Sequence, residues 1–94
     1  MTFGQQLRIL RAAQEISQRR LAERLQMEPS YLSRIENDAP NHTPNSDTIT
    51  RITKALALQQ KDSDSLFVAA RRLPPDIFTK LIEQPKLFAR IRRA

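Results

Sequence analysis

Apolar residues recur along this chain at intervals of three and four positions rather than two. The first such set is Phe3, Leu7 and Leu10, which share one face of a helix at i, i+4 and i+7. No stretch shows the convincing alternation of apolar and polar residues that is typical of a half-buried strand. The pattern therefore predicts a chain that is almost entirely α-helical.

Start signals place four helices in the first part of the chain. Thr2 and Gln5 have the spacing of a capping box, and Ser17 is a good N-cap for a second helix. Pro29 suits the first turn of a third helix, where its missing N–H costs nothing. Asn45 or Ser46 can cap the fourth helix, after a loop rich in Pro and Asn. The predicted helices cover about residues 3–14, 18–25, 29–36 and 46–58.

The remainder of the chain reads as a helical extension. Residues 59–65 are polar and are interpreted as a connector, followed by a fifth helix that ends near Arg72. Two prolines break that helix, a sixth helix starts around Pro75, and Pro85 opens a seventh. These signals predict a first domain at residues 1–58 and an extension at residues 59–94.

The net charge of +6 indicates a polyanionic partner. Most of the basic residues are arginine, which binds phosphate and guanine edges through two hydrogen bonds. A GC-rich genome would also produce an arginine-rich protein, so the Arg-to-Lys ratio alone decides nothing. The chain has no Cys, which excludes disulfides and thiolate metal sites and fits a reducing cytosol. Apolar runs fall short of a membrane span, and arginines interrupt the N-terminal apolar residues, unlike a signal peptide.

Residues 3–58 resemble the Cro and phage-repressor (XRE) family of helix-turn-helix regulators. The resemblance is carried by Leu7-Arg8, Leu10-Arg11, Ser17-Gln18, Leu21-Ala22, the run from Tyr31 to Asn37, and the run from Pro44 to Leu56. It implies an all-α, lambda-repressor-like DNA-binding domain of the five-helix type, here with a C-terminal helical extension. It also implies that the third helix reads bases in the major groove while the second crosses the backbone.

The family also implies which residues contact DNA. Gln18 and Asn37 match phosphate-contacting positions, and Arg34 is the best candidate for a bidentate contact with guanine. The predicted DNA-binding set is Gln18, Pro29, Ser30, Tyr31, Ser33, Arg34 and Asn37. Plainer interpretations stay open: Gln18 as a solvated helix-start residue, Tyr31 packed on the second helix, and Arg34 as a surface charge paired with a carboxylate.

Arg11 and Glu36 resemble a structural ion pair of the family, which ties the first helix to the end of the third. Departures from the family pattern include two positions and one loop. Asp38 stands where Gly is common, Glu28 stands where a Ser or Thr cap is common, and the loop at residues 38–44 is about two residues longer than usual. Asp tolerates the left-handed conformation better than most residues, so the turn after the third helix survives.

Family members commonly bind as two-fold dimers on pseudo-palindromic operators, and the extension is rich enough in apolar residues to form an interface. The predicted dimerisation residues are Phe67, Ile77, Phe78, Leu81, Phe88 and Ile91. The alternative is that helices five to seven fold back onto the first domain.

These expectations combine into a cytoplasmic, sequence-specific regulator of transcription that binds double-stranded DNA, acts as a homodimeric repressor and needs no cofactor or metal. Two alternatives are an antitoxin that also sequesters a toxin, and a protein-interaction module with little DNA specificity. An enzyme is not expected, since the sequence offers no phosphate-binding glycine loop, no metal-ligand spacing and a single His.

Overall fold

Side chains at the helix starts fix where three of the helices begin. Thr2 Oγ1 accepts from the Gln5 amide at 3.2 Å and Gln5 Oε1 accepts from the Thr2 amide at 3.0 Å, so the predicted capping box is confirmed. Ser17 and Asn45 cap the second and fourth helices in the predicted manner. The third helix begins at Pro29 and has no side-chain cap from Glu28.

The computed structural model describes residues 1–84, 86 and 90. Over this part of the chain the secondary structure is entirely helical, which confirms the all-α class. The helices are α1 Phe3–Ala13, α2 Gln18–Arg24, α3 Pro29–Glu36, α4 Ser46–Ala55, α5 Gln60–Ala69 and α6 Pro75–Glu83. The predicted dimerisation residues Phe88 and Ile91, and with them most of the predicted seventh helix, lie outside the described residues.

The first five helices all end on a left-handed residue that is not glycine. These residues have φ between 48° and 57° and are Glu15, Gln26, Asp38, Ala57 and Arg71. After each one, the next amide donates back to a carbonyl five residues earlier, as Ile16 does to Arg11 at 3.2 Å. This is the Schellman motif, in which a non-glycine residue costs roughly 1–2 kcal/mol.

One hydrophobic core is shared by α1 to α5. Leu66, Phe67 and Ala70 are buried in the same cluster as the apolar residues of the first four helices. The predicted connector at residues 59–65 is wrong, because α5 already begins at Gln60 with polar residues in its first turns. The core therefore does not divide at residue 58, and what extends beyond it starts after α5.

The predicted interface set divides according to burial. Phe67 is 3% exposed inside the core and Leu81 is 7% exposed, so neither side chain is accessible on the surface of this chain. Ile77, Phe78 and Ile82 are exposed along α6. None of the described helices is long and apolar enough to cross a membrane.

Candidate nucleic-acid interface

An ion pair joins α1 to the end of α3. Arg11 Nε lies 2.8 Å from Glu36 Oε2, and Arg11 Nη2 donates to Glu36 Oε1 at 2.9 Å. The Glu36 carboxylate is 1% exposed, and Arg11 also donates to the Ile16 carbonyl at 2.9 Å. Two parallel N–H···O bonds specify distance and angle together. They fix the last turn of α3 against α1.

Gln18, at the start of α2, belongs to the same group of contacts. Its Nε2 donates to Glu36 Oε1 at 3.1 Å, and its side chain is partly buried. This is not the freely solvated side chain of the plainer interpretation. An amide nitrogen carries two hydrogens, so the bond to Glu36 leaves one for another acceptor.

Asp38 makes a second link between α3 and α1. Its Oδ1 accepts from the Gly4 amide at 2.9 Å and its Oδ2 accepts from the Thr2 hydroxyl at 2.6 Å. A carboxylate at the start of a helix satisfies an orphan amide and interacts favourably with the helix dipole. Sequence reasoning considered only the backbone conformation of Asp38 and missed this role. No local signal reveals it, because the partners lie more than thirty positions apart.

Gly4 allows the close contact that these two links require. A Cβ at this position would lie 2.2 Å from the Glu36 carbonyl oxygen, far inside any real contact. The backbones of α1 and α3 therefore touch directly, and no other residue type fits without movement of one helix. Gly4 is the only glycine in the chain.

The side of α3 that faces away from the core carries the residues predicted to read bases. Pro29, Ser30 and Arg34 are exposed, and Ser33 is half-buried. Among the described residues, no carboxylate lies within ion-pair distance of Arg34, so the surface-pair interpretation has no partner there. Pro29, Ser30 and Arg34 are therefore each accessible from outside, and Ser30 and Arg34, four positions apart, lie on the same face of the helix.

A family model for the helix-turn-helix domain matches residues 2–66. The chain belongs to this family. The match starts just before α1 and ends within α5, so it covers nearly all of the shared core. No curated protein and no solved structure matches. In a helix-turn-helix domain, which binds DNA, the second helix of the pair is the recognition helix; here the pair is α2 and α3.

The loop after the recognition helix folds back onto its first turn. The rings of Tyr31 and His42 lie 5.6 Å apart, between centroids, with a tilt of 57°. His42 Nδ1 lies 2.8 Å from the Pro40 carbonyl oxygen, which holds the imidazole in place. Aromatic pairs at this spacing attract each other. This contact with the α3–α4 loop was not foreseen, and it places the loop beside the helix-turn-helix.

Asn37 ends the recognition helix with its side chain exposed. Its Nδ2 donates to Ser33 Oγ at 3.3 Å, which aligns the two predicted contact residues on one edge of α3. Elsewhere, α2 and α4 cap each other's C-terminal carbonyls. Arg24 donates to the Ala55 carbonyl at 3.3 Å, and Arg51 donates to the Leu25 carbonyl. Arg24 is therefore exposed, and its guanidinium group is held by a backbone carbonyl of α4.

Proposed function

We propose that this helix-turn-helix protein is a sequence-specific regulator of transcription, which binds double-stranded DNA as a dimer and represses by occupying an operator. The observation that carries the proposal is the exposed polar surface of α3, on a helix whose last turn is fixed to α1 by the Arg11–Glu36 ion pair. A recognition helix needs both properties, because base contacts must be accessible and their positions must be defined.

Within the major groove, Arg34 is assigned the most specific contact. Arginine donates to O6 and N7 of guanine together, and each such pair discriminates against other bases by about 1–3 kcal/mol. Ser30 lies one helical turn earlier on the same exposed surface and is assigned a second base edge. Pro29, Tyr31 and Ser33 surround these two residues and are assigned base or backbone contacts.

Gln18 and Asn37 are assigned phosphate contacts. Each uses one amide hydrogen within the protein, on Glu36 and Ser33 respectively. The second hydrogen of each amide is directed to a phosphate oxygen in this proposal. The intramolecular bonds would hold both side chains ready, so that less conformational freedom is lost on binding.

Dimerisation is assigned to the exposed surface of α6. Ile77 is 39% exposed and Phe78 is 53% exposed, and a single recognition helix reads too few bases for high specificity. Sedimentation of the wild type and of the double variant Ile77→Asp/Phe78→Asp tests this assignment. A dimer that the substitutions convert to monomer supports it, and a monomeric wild type contradicts it. If the product of a neighbouring gene co-purifies with the wild type and is lost from the double variant, the antitoxin alternative is supported instead.

A mobility-shift assay tests the DNA-binding proposal. The duplex is the DNA upstream of the protein's own gene, with a random duplex of equal length as competitor. We expect a preference for the upstream duplex, and a loss of roughly ten-fold or more in Arg34→Ala. The matched control is Arg8→Ala, which removes an exposed arginine from α1. Equal binding to both duplexes at moderate salt would contradict the proposal.

A further inference from the structure

The corner between α5 and α6 carries two adjacent arginines on a well-defined backbone. Arg71 is the left-handed residue that ends α5, with φ of 57°. Its amide donates to the Val68 carbonyl and the Arg72 amide donates to the Phe67 carbonyl, both at 2.9 Å. Both arginine side chains are exposed. The turn therefore presents two guanidinium groups from a fixed backbone position rather than from a helix end that frays.

This corner faces the beginning of α4 across an open groove of about 450 Å³. The groove is lined by Ser46, Arg71, Arg72, Leu73, Pro75 and Phe78. Ser46 is the first residue of α4 and follows the α3–α4 loop directly. The two arginines thus lie across a groove from the place where the loop of the helix-turn-helix enters α4.

Only a short segment of chain separates the start of α4 from a residue that contacts the recognition helix. His42 of the loop contacts Tyr31 in the first turn of α3. Ser46 follows His42 by four residues, which span at most about 14 Å even when fully extended. The major groove is only about 12 Å wide and is bordered by the two phosphate backbones. If α3 enters that groove, a phosphate backbone that runs past Tyr31 and His42 comes within reach of the start of α4.

The charges at the corner favour an anionic ligand. The carboxylates nearest in sequence to the groove are those of Asp47, next to Ser46, and Asp76, next to Pro75. Neither of these two residues lines the groove. Within residues 1–84, neither arginine has a carboxylate within ion-pair distance. A guanidinium group matches phosphate oxygens with two parallel hydrogen bonds, and it loses hydration more readily than an ammonium group does.

We propose that Arg71 and Arg72 bind a phosphate of the DNA backbone that lies outside the bases read by α3. This inference rests on the proposed function and extends the DNA-binding surface beyond the helix-turn-helix to the α5–α6 corner. A backbone contact carries affinity and orientation but no base preference. The two arginines therefore raise affinity for every duplex by the same factor.

The test compares the double variant Arg71→Ala/Arg72→Ala with Arg8→Ala/Lys61→Ala in the full chain. The control removes the same charge from two exposed positions near Met1, on α1 and at the start of α5. Affinity is measured over a series of NaCl concentrations, for a duplex that the wild type selects and for a random duplex. A third variant, Arg71→Lys/Arg72→Lys, keeps the charge and should keep most of the affinity.

We expect the corner variant to bind both duplexes about three- to ten-fold more weakly, with a log–log salt slope shallower by about 0.9 for each phosphate lost. The ratio of the two affinities should stay unchanged. The inference would be overturned if the corner variant kept the salt slope of the wild type, or if it lost no more affinity than the control variant. It would also be overturned if sedimentation showed that the loss of affinity comes from dissociation of the dimer. If the wild type prefers neither duplex but the slope still falls in the corner variant, only the proposed function fails.

Discussion

The two ends of α3 are built in opposite ways. At its C-terminal end, Glu36 is buried in a bidentate ion pair and Asp38 caps the start of α1. At its N-terminal end, Glu28 makes no cap, and Pro29 and Ser30 are exposed. The helix is thus anchored at one end and accessible at the other. It follows that Glu28, Pro29 and Ser30 can vary without disturbing the fold, whereas Glu36 and Asp38 cannot.

Removing the buried carboxylate should have the largest effect. Glu36→Ala leaves the Arg11 guanidinium and the Gln18 amide without their shared acceptor. Breaking a buried ion pair on one side costs about 3–5 kcal/mol of unfolding free energy. Urea denaturation measures this loss.

Glu28→Ala, at the open end of α3, is the matched control for Glu36→Ala. Glu28 makes no side-chain cap, so its removal should change stability by less than about 0.5 kcal/mol. Similar losses of unfolding free energy in Glu36→Ala and Glu28→Ala would contradict the conclusion that only the C-terminal end of α3 is anchored.

Adding a single methyl group at the contact between α1 and α3 should have the next largest effect on stability. In an open helix, Ala is more stable than Gly by roughly 0.5–1 kcal/mol. Gly4→Ala should instead destabilise by about 1–3 kcal/mol, because its Cβ would overlap the Glu36 carbonyl and force the helices apart. Thermal unfolding shows whether Gly4→Ala lowers or raises the stability of the protein. A stabilised variant would show that the anchored end is loosely packed.

Two glycine substitutions at left-handed positions should give the smallest effects, with opposite signs. Asp38→Gly relieves backbone strain but loses two charge-assisted hydrogen bonds, for a net loss of about 1 kcal/mol. Ala57→Gly relieves the same kind of strain at an exposed position, and should gain about 0.5–1 kcal/mol. Urea denaturation measures the free energy of unfolding of both variants. A gain in both variants would mean that the Asp38 carboxylate contributes nothing to anchoring α3.

Features set by local sequence were predicted well. The bounds of α3 follow from Pro29 and from the turn signals on either side, and the capping box at Thr2 needs only residues three positions apart. The beginning of α5 was missed because residues 59–65 are uniformly polar and Gln59 provides no side-chain cap. Its helix is stabilised further along, by Leu66 and Phe67 in the core.

Features set by tertiary contacts could not be predicted in the same way. An apolar residue at helical spacing gives the same signal for a core and for an interface, so the sequence could not show that Phe67 is buried in the core of the chain. The carboxylate of Asp38 finds its donors at Thr2 and Gly4, more than thirty positions earlier in the sequence. The ring contact between Tyr31 and His42 depends on how a long loop folds, which no periodicity encodes.

The most direct test of this account is binding-site selection from random DNA, carried out in parallel with the wild type, Arg34→Ala and Arg8→Ala. We predict that the wild type and Arg8→Ala enrich the same motif, whereas Arg34→Ala keeps its fold and loses the preference at one base pair of each half-site. An unchanged motif in Arg34→Ala, or no motif in the wild type, would contradict the claim that the exposed surface of α3 reads DNA sequence.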